Sequence, residues 1–256
     1  QEGATVKGKY SGSDVSALII CRGAKIIAKG TVDKPIVFTS ASANPQSGDW
    51  GGIVLCGTAP INTSFTVNGA SVQGLYQVEG GVDNANGDGL AGSGDAAFPT
   101  ANPADNSGIL QYVRIEYAGY AYQPDKEINS LTMAAVGNGT TIDHVEAAFG
   151  KDDSFEWFGG TVNCKYLIAY KGQDDDFDTD NGYSGYVQFG IGIRDSVIAD
   201  ISKSEAFESD NNATGTSATP KTTAVFSNMT VIGPRATLPN IGNSLFLAGA
   251  QIRRNS

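Results

Sequence analysis

The sequence is poor in the residues that form zinc sites and nucleophilic triads. It has one histidine, His144, and three cysteines at positions 21, 56 and 164, none of them in a CxxC pair. This excludes the usual Cys/His zinc centre, and a serine or cysteine triad would have to use His144, which we expect to be structural at the start of a strand. Since each cysteine lies in an apolar run, we expect buried thiols. A disulfide between Cys21 and Cys56 is an alternative that the sequence does not decide.

Basic charge and long apolar runs are also scarce. The 256 residues contain 17 Lys and Arg against 27 Asp and Glu, so the formal net charge is −10. Such an acidic chain is a poor ligand for a phosphate backbone, and we expect no nucleic-acid partner. No apolar run reaches about 18 residues, so we expect no membrane-spanning segment.

Glycine and short β segments are abundant. The chain has 33 glycines, and between Ala17 and Ser40 three β runs are broken only by Gly23, Gly30 and Pro35. Strands of this length with single-residue corners are typical of solenoid coils. We predict one all-β solenoid domain over residues 1–256, interrupted by a long loop excursion at about 58–107 that is rich in turn formers.

One short pattern returns three times, at Asp152–Glu156, Asp174–Asp178 and Ser204–Glu208. Its phenylalanines, Phe155, Phe177 and Phe207, are separated by 22 and 30 residues, which suits coils whose loops differ in length. Equivalent residues of adjacent parallel strands lie about 4.8 Å apart. The pattern therefore predicts an internal phenylalanine ladder beside a column of stacked carboxylates.

Stacked carboxylates repel one another unless a cation, backbone N–H groups or basic side chains neutralise them. Oxygen ligands of this kind suit calcium, and we predict calcium as a possible cofactor. The alternative is a solvated acidic face whose side chains cap turns. The predicted ligands are Asp153, Glu156, Asp174, Asp175, Asp178, Asp180, Glu208 and Asp210.

Six segments of the chain are distinctive: Gly23–Ser40, Gly48–Ile53, Tyr112–Gly119, Asp152–Gly160, Asp174–Gly185 and Gln251–Asn255. They resemble right-handed parallel β-helix proteins that occur as secreted or outer-membrane lipoproteins in Bacteroidota. The resemblance implies the same fold and an extracellular or outer-membrane surface location, and it implies little about chemistry because that group is mostly uncharacterised. It also suggests a fragment that lacks both caps.

The leading functional interpretation is a non-catalytic surface protein that binds a glycan or a cell-envelope protein. Aromatic side chains beside carboxylates are what a sugar-binding groove needs. Four of them are predicted to lie in loops and to be exposed: Tyr120, Tyr122, Trp157 and Tyr183.

A polysaccharide lyase or glycoside hydrolase acting at the acidic stripe is the second interpretation. Gly172–Asp175 resembles the paired-aspartate motif of polygalacturonase-type hydrolases, although their Gly-His-Gly and Arg-Ile-Lys motifs are absent. Candidate catalytic groups are Asp174, Asp175, Lys151 and Lys203, although the simpler role of both lysines is to neutralise the adjacent carboxylates. A structural spacer or adhesin stalk is the third interpretation.

Overall fold

The computed structural model describes residues 1–10, 16–80, 82, 87–123, 126–234 and 245–253. Two parallel sheets account for most of the strands, and the chain passes from one sheet to the other along the solenoid. This is the predicted all-β parallel β-helix. The described residues include no helix long and apolar enough to cross a membrane.

The eight strands of the first sheet, called sheet 1, pair with parallel neighbours. They are β1 (Thr5–Gly8), β3 (Ile26–Lys29), β4 (Ile36–Ser40), β10 (Gly108–Glu116), β14 (Thr141–Ala148), β16 (Cys164–Tyr170), β18 (Tyr186–Ile193) and β21 (Val225–Ile232).

The seven strands of the other large sheet, called sheet 2, also run parallel. They are β2 (Leu18–Ile20), β5 (Ile53–Cys56), β13 (Leu131–Ala134), β15 (Phe155–Phe158), β17 (Phe177–Asp180), β20 (Phe207–Asp210) and β23 (Gln251–Arg253). From β10 onward each coil supplies one strand to each sheet.

The remaining strands form four small two-stranded sheets. They are β6 (Ser64–Val67) with β7 (Ala70–Gln73), β8 (Leu75–Gln77) with β9 (Leu90–Gly92), β11 (Ala121–Gln123) with β12 (Lys126–Glu127), and β19 (Ser204–Glu205) with β22 (Phe246–Ala248).

The phenylalanine ladder predicted from the repeat is confirmed. Phe155 pairs with Phe177, and Phe177 with Phe207. The ring centroids are 5.7 Å and 5.4 Å apart and the rings are stacked. Strand alternation turns the intervening residues outward, so Glu156, Asp178 and Glu208 form the predicted column on the outer face of sheet 2.

The long strands of sheet 1 bend at one residue in each coil. Tyr112, His144, Tyr166, Phe189 and Asn228 have φ between 50° and 62°. The pairing skips these residues, since Gln111 pairs with Asp143 and Val113 with Val145. His144 therefore lies at a bend inside its strand rather than at the start, because left-handed backbone there turns the coil.

The described part of the excursion at residues 58–107 packs on the outer face of sheet 2. Ile61, Val78 and Ala91 form a second apolar cluster with Val54 and Phe158 of that sheet. This cluster reaches β15, the strand on which the acidic column begins. The excursion therefore helps to set one wall of a cleft.

All three cysteines have free thiols. Cys56 and Cys164 are buried, as predicted, and burial raises the pKa of each thiol to about 12. Cys21 is only half-buried, and its Sγ donates to Asp88 at 3.3 Å. No bridge joins Cys21 to Cys56 in this structure.

Candidate functional site: an acidic cleft

An elongated cleft of about 990 Å³ runs over the C-terminal half of the outer face of sheet 2. Its floor is the column Glu156, Asp178 and Glu208, and further residues come from the turns that precede these strands, from the excursion and from the C-terminal strand β23. Three basic side chains also line it: Lys151, Lys203 and Arg253. The carboxylates are Glu79, Glu127, Asp152, Asp153, Glu156, Asp174, Asp175, Asp178, Asp200, Glu205 and Glu208.

Backbone amides hold the turns in the same arrangement from coil to coil. Asp153 Oδ1 accepts the backbone N–H of Asp175 at 2.9 Å, and Asp175 Oδ1 accepts that of Glu205 at 2.5 Å. Gly150 and Gly172 precede these turns, and a Cβ on either would lie within 3 Å of the serine hydroxyl of the previous coil. Small residues thus permit the close approach that stacks the carboxylates.

The stacked turns bring carboxylate oxygens together in three groups. Within each group one oxygen per residue lies within 4.8 Å of the others. The donors are all hard oxygens, which is the ligand type that calcium prefers and zinc does not. The groups are Asp152, Asp153 and Asp174; Asp153, Glu156 and Asp178; and Asp175, Glu205 and Glu208.

Glu205 is the most telling member of these groups. Glu205 is 2% exposed, and among the described residues its Oε1 has no hydrogen-bond partner. Asp178 Oδ1 and Asp174 Oδ1 also have no hydrogen-bond partner among the described residues. A buried carboxylate oxygen without a donor is costly, and a bound cation would satisfy it.

The electrostatics of the cleft show the same shortage of positive charge. Burial, reinforced by the Asp174 charge, raises the pKa of Asp175 to about 10. Burial also raises the pKa values of Asp174 and Asp178 to about 7. The pKa of Glu156 is raised by burial and by the Asp178 charge. The fold therefore favours protonated carboxyl groups here unless a cation replaces the protons.

Two arginines form ion pairs with carboxylates at the margins of the cleft. Arg194 is buried, pairs with Asp176 at 3.1 Å, and donates to the backbone carbonyls of Asp174 and Gln173, so it holds that turn in place. Arg253 pairs with Glu208 and with Asp210.

Six of the eight predicted calcium ligands line the cleft: Asp153, Glu156, Asp174, Asp175, Asp178 and Glu208. Asp180 and Asp210 do not. Asp180 Oδ1 accepts the backbone N–H of Asn181 at 2.6 Å, and Asp210 Oδ2 lies 2.8 Å from Arg253. Both are two residues farther along their strands, which carries them past the end of the cleft.

The prediction that Trp157 and Tyr183 are exposed is wrong, because both are fully buried. Trp157 alternates with Glu156 and so faces the interior, where its ring stacks on that of Tyr183 at 5.4 Å. The Tyr183 hydroxyl donates to the carbonyl of Val162. Tyr120 is half-buried and does not line the cleft, and the side chain of Tyr122 lies outside the described residues.

The lysine candidates and five further acids complete the cleft. Lys151 and Lys203 are exposed and line it. The predicted ligands leave out five cleft acids: Asp152 and Glu205, which belong to the repeated pattern, and Glu79, Glu127 and Asp200, which do not. Only the folded path of the chain places the last three here.

A solenoid with an acidic cleft along one parallel sheet is the class of protein that these observations define. The family model of the pectate-lyase-like β-helix domain matches residues 1–253, and the chain belongs to that family. No curated protein and no solved structure matches the chain.

Proposed function

We propose that the protein is a non-catalytic binding protein of the cell surface or the extracellular space, whose acidic cleft binds calcium and, through it, a glycan or another envelope component. The observation that carries this proposal is Glu205, a buried residue whose Oε1 has no hydrogen-bond partner among the described residues and whose carboxylate lies beside those of Asp175 and Glu208. Calcium takes about 6–8 oxygen ligands, and this group offers one oxygen from each of three residues, so a cation held here keeps coordination positions for a ligand.

The charge of the cleft indicates the class of glycan. Its lining has eleven carboxylates and three basic groups, so an anionic polymer is repelled by the bare cleft and attracted once cations fill it. A carboxylated polysaccharide meets this condition, because its carboxylates complete the calcium shell. The resemblance to lipoproteins of Bacteroidota supports a place at the outer membrane surface.

The test is calorimetric titration with polygalacturonate as the probe. We expect binding in calcium, none in chelator, and loss of binding in Asp175→Asn. Asp143→Asn is the matched control, because Asp143 is on sheet 1, away from the cleft. Binding that is equal in calcium and chelator, or no binding in either, would refute the proposal and leave the structural spacer.

A lyase or hydrolase at the same cleft is the second candidate. The observation in its favour is that Asp174 and Asp178 have pKa values of about 7, near the value that suits a general acid or base at neutral pH. Lys151 and Lys203 at the cleft are the candidate lyase bases. New unsaturated uronate absorbance or new reducing ends during the titration would establish catalysis, and Asp174→Asn should then abolish it.

A further inference from the structure

A second groove, of about 600 Å³, runs along the bend of sheet 1, on the other sheet from the acidic cleft. One wall is the column of left-handed residues defined above, here called the aromatic column: Tyr112, His144, Tyr166, Phe189 and Asn228. The other wall is the outward residue two positions later in each coil: Arg114, Glu146, Ile168, Ile191 and Thr230. The groove therefore offers one residue from each wall per coil.

The rings of the aromatic column stack on one another. The centroid separations are 4.5 Å for Tyr112 and His144, 4.3 Å for His144 and Tyr166, and 5.0 Å for Tyr166 and Phe189. Because their faces meet, the rings present their edges to the groove. Ring edges carry the positive end of the aromatic quadrupole, so they attract the oxygen atoms of a ligand more than its alkyl groups.

The charges of the groove are internally paired. Arg114 Nε lies 3.0 Å from Glu146 Oε2, and its Nη2 lies 2.8 Å from Glu116. His144 Nδ1 contacts Asp143 Oδ1. These pairs include every charged residue that lines the groove. A charged ligand would have to break such a pair, and a neutral ligand would not.

The groove also repeats at the spacing of the coils. An extended peptide advances about 3.3 Å per residue and falls out of step with ring centroids 4.3–5.0 Å apart. A stretched chain of β-linked pyranoses advances by nearly one coil per sugar, so successive sugars would meet equivalent contacts. Its hydroxyl groups also match the polar side chains of Tyr112, Tyr166, Asn228 and Thr230.

We propose that this groove binds a neutral, linear glycan laid along the solenoid axis. The aromatic column supplies ring edges to the sugar oxygens, and the opposite wall covers the sugar C–H surfaces with Ile168 and Ile191. Both isoleucines and two rings of the aromatic column, Tyr166 and Phe189, are 37–42% exposed, so the contact surface is open. This site is independent of calcium and of the acidic cleft.

The test is calorimetric titration of the intact chain with cellohexaose, xylohexaose and mannohexaose. We expect at least one to bind, with the affinity unchanged by chelator and lowered about tenfold or more by Tyr166→Ala. Tyr186→Ala is the matched control, because Tyr186 is 61% exposed on the same sheet and does not line the groove. Ile191→Lys, at a site 40% exposed, blocks the opposite wall without touching the ring stack.

Five results would overturn the proposal, and the first four concern the groove itself. They are no binding of any hexasaccharide at millimolar concentration, equal loss in Tyr186→Ala, retained binding in Ile191→Lys, and self-association of the protein that Tyr166→Ala dissolves, which would make a second copy the occupant. Binding that vanishes in chelator or in Asp175→Asn would place the sugar in the acidic cleft instead. Failure of polygalacturonate binding leaves this proposal intact, so the two tests are separable.

Discussion

On the outer faces of the two large sheets, equivalent side chains stack from coil to coil, but their contacts have opposite energetic signs. On sheet 2, register places Glu156 beside Asp178 and Asp178 beside Glu208, so each coil adds a repulsive neighbour. On sheet 1, the same repetition places Tyr166 against His144 and Phe189, so each coil adds an attractive neighbour. Coil stacking amplifies whatever chemistry a column carries, and of these two columns only the acidic one accumulates like charge.

The largest expected effect lies in the ladder beneath the acidic column. Phe177→Ala removes a fully buried ring that stacks on Phe155 and Phe207, and we expect a loss of about 3–5 kcal/mol in unfolding free energy. Denaturant titration measures it. The loss should be the same with calcium and with chelator, and a calcium-dependent loss would mean that the ladder and the cleft are not separate.

Calcium should have the next largest effect on the stability of the fold. At a free concentration a hundredfold above Kd it should stabilise the fold by about 2.7 kcal/mol, measured by thermal unfolding at matched ionic strength. Asp178→Asn should raise the melting temperature in chelator, because it relieves repulsion, and should diminish the rise with calcium. Asp143→Asn should leave the calcium response unchanged. A wild-type melting temperature that does not change with calcium would mean that no bound cation stabilises the acidic column.

The acidic face should also make stability depend on pH in an unusual direction. The pKa values of Asp174 and Asp178 rise, mainly through burial, from 3.8 to about 7. Between about pH 4 and pH 7 the folded state therefore holds protons that the unfolded chain has released, and stability falls as pH rises. We expect the melting temperature in chelator to fall across this window and calcium to suppress the fall. A rise in chelator would contradict the burial of these groups.

The smallest expected effect is on the exposed aromatic column. Phe189→Ala removes one ring stacked on Tyr166, with 38% of the residue already exposed, and we expect a loss of about 0.5–1.5 kcal/mol. Denaturant titration beside Phe177→Ala gives the contrast between an outer and an inner ladder. A loss as large as that of Phe177→Ala would mean that the outer rings hold the bend of sheet 1 together.

Much of the acidic site was predictable because it is encoded locally. The repeated turn at Asp152–Glu156 and Asp174–Asp178 fixes both the register and the alternation of inward and outward side chains. The phenylalanine ladder and six cleft carboxylates follow from those two facts. Burial did not follow in the same way, since Trp157 directly follows the repeat and was predicted to be exposed although its place beside Glu156 turns it inward.

The sequence by itself determined the parallel β-helix, the inner phenylalanine ladder and the acidic column, because short-range alternation and a recurring phrase specify them. Tertiary structure alone decided the rest. The excursion brought Glu79 to the cleft, and coils of unequal length brought together Tyr112, His144, Tyr166 and Phe189, which are 32, 22 and 23 residues apart and share no motif. Such columns depend on where each coil bends, and that position is set by packing against the neighbouring coils rather than by any one residue.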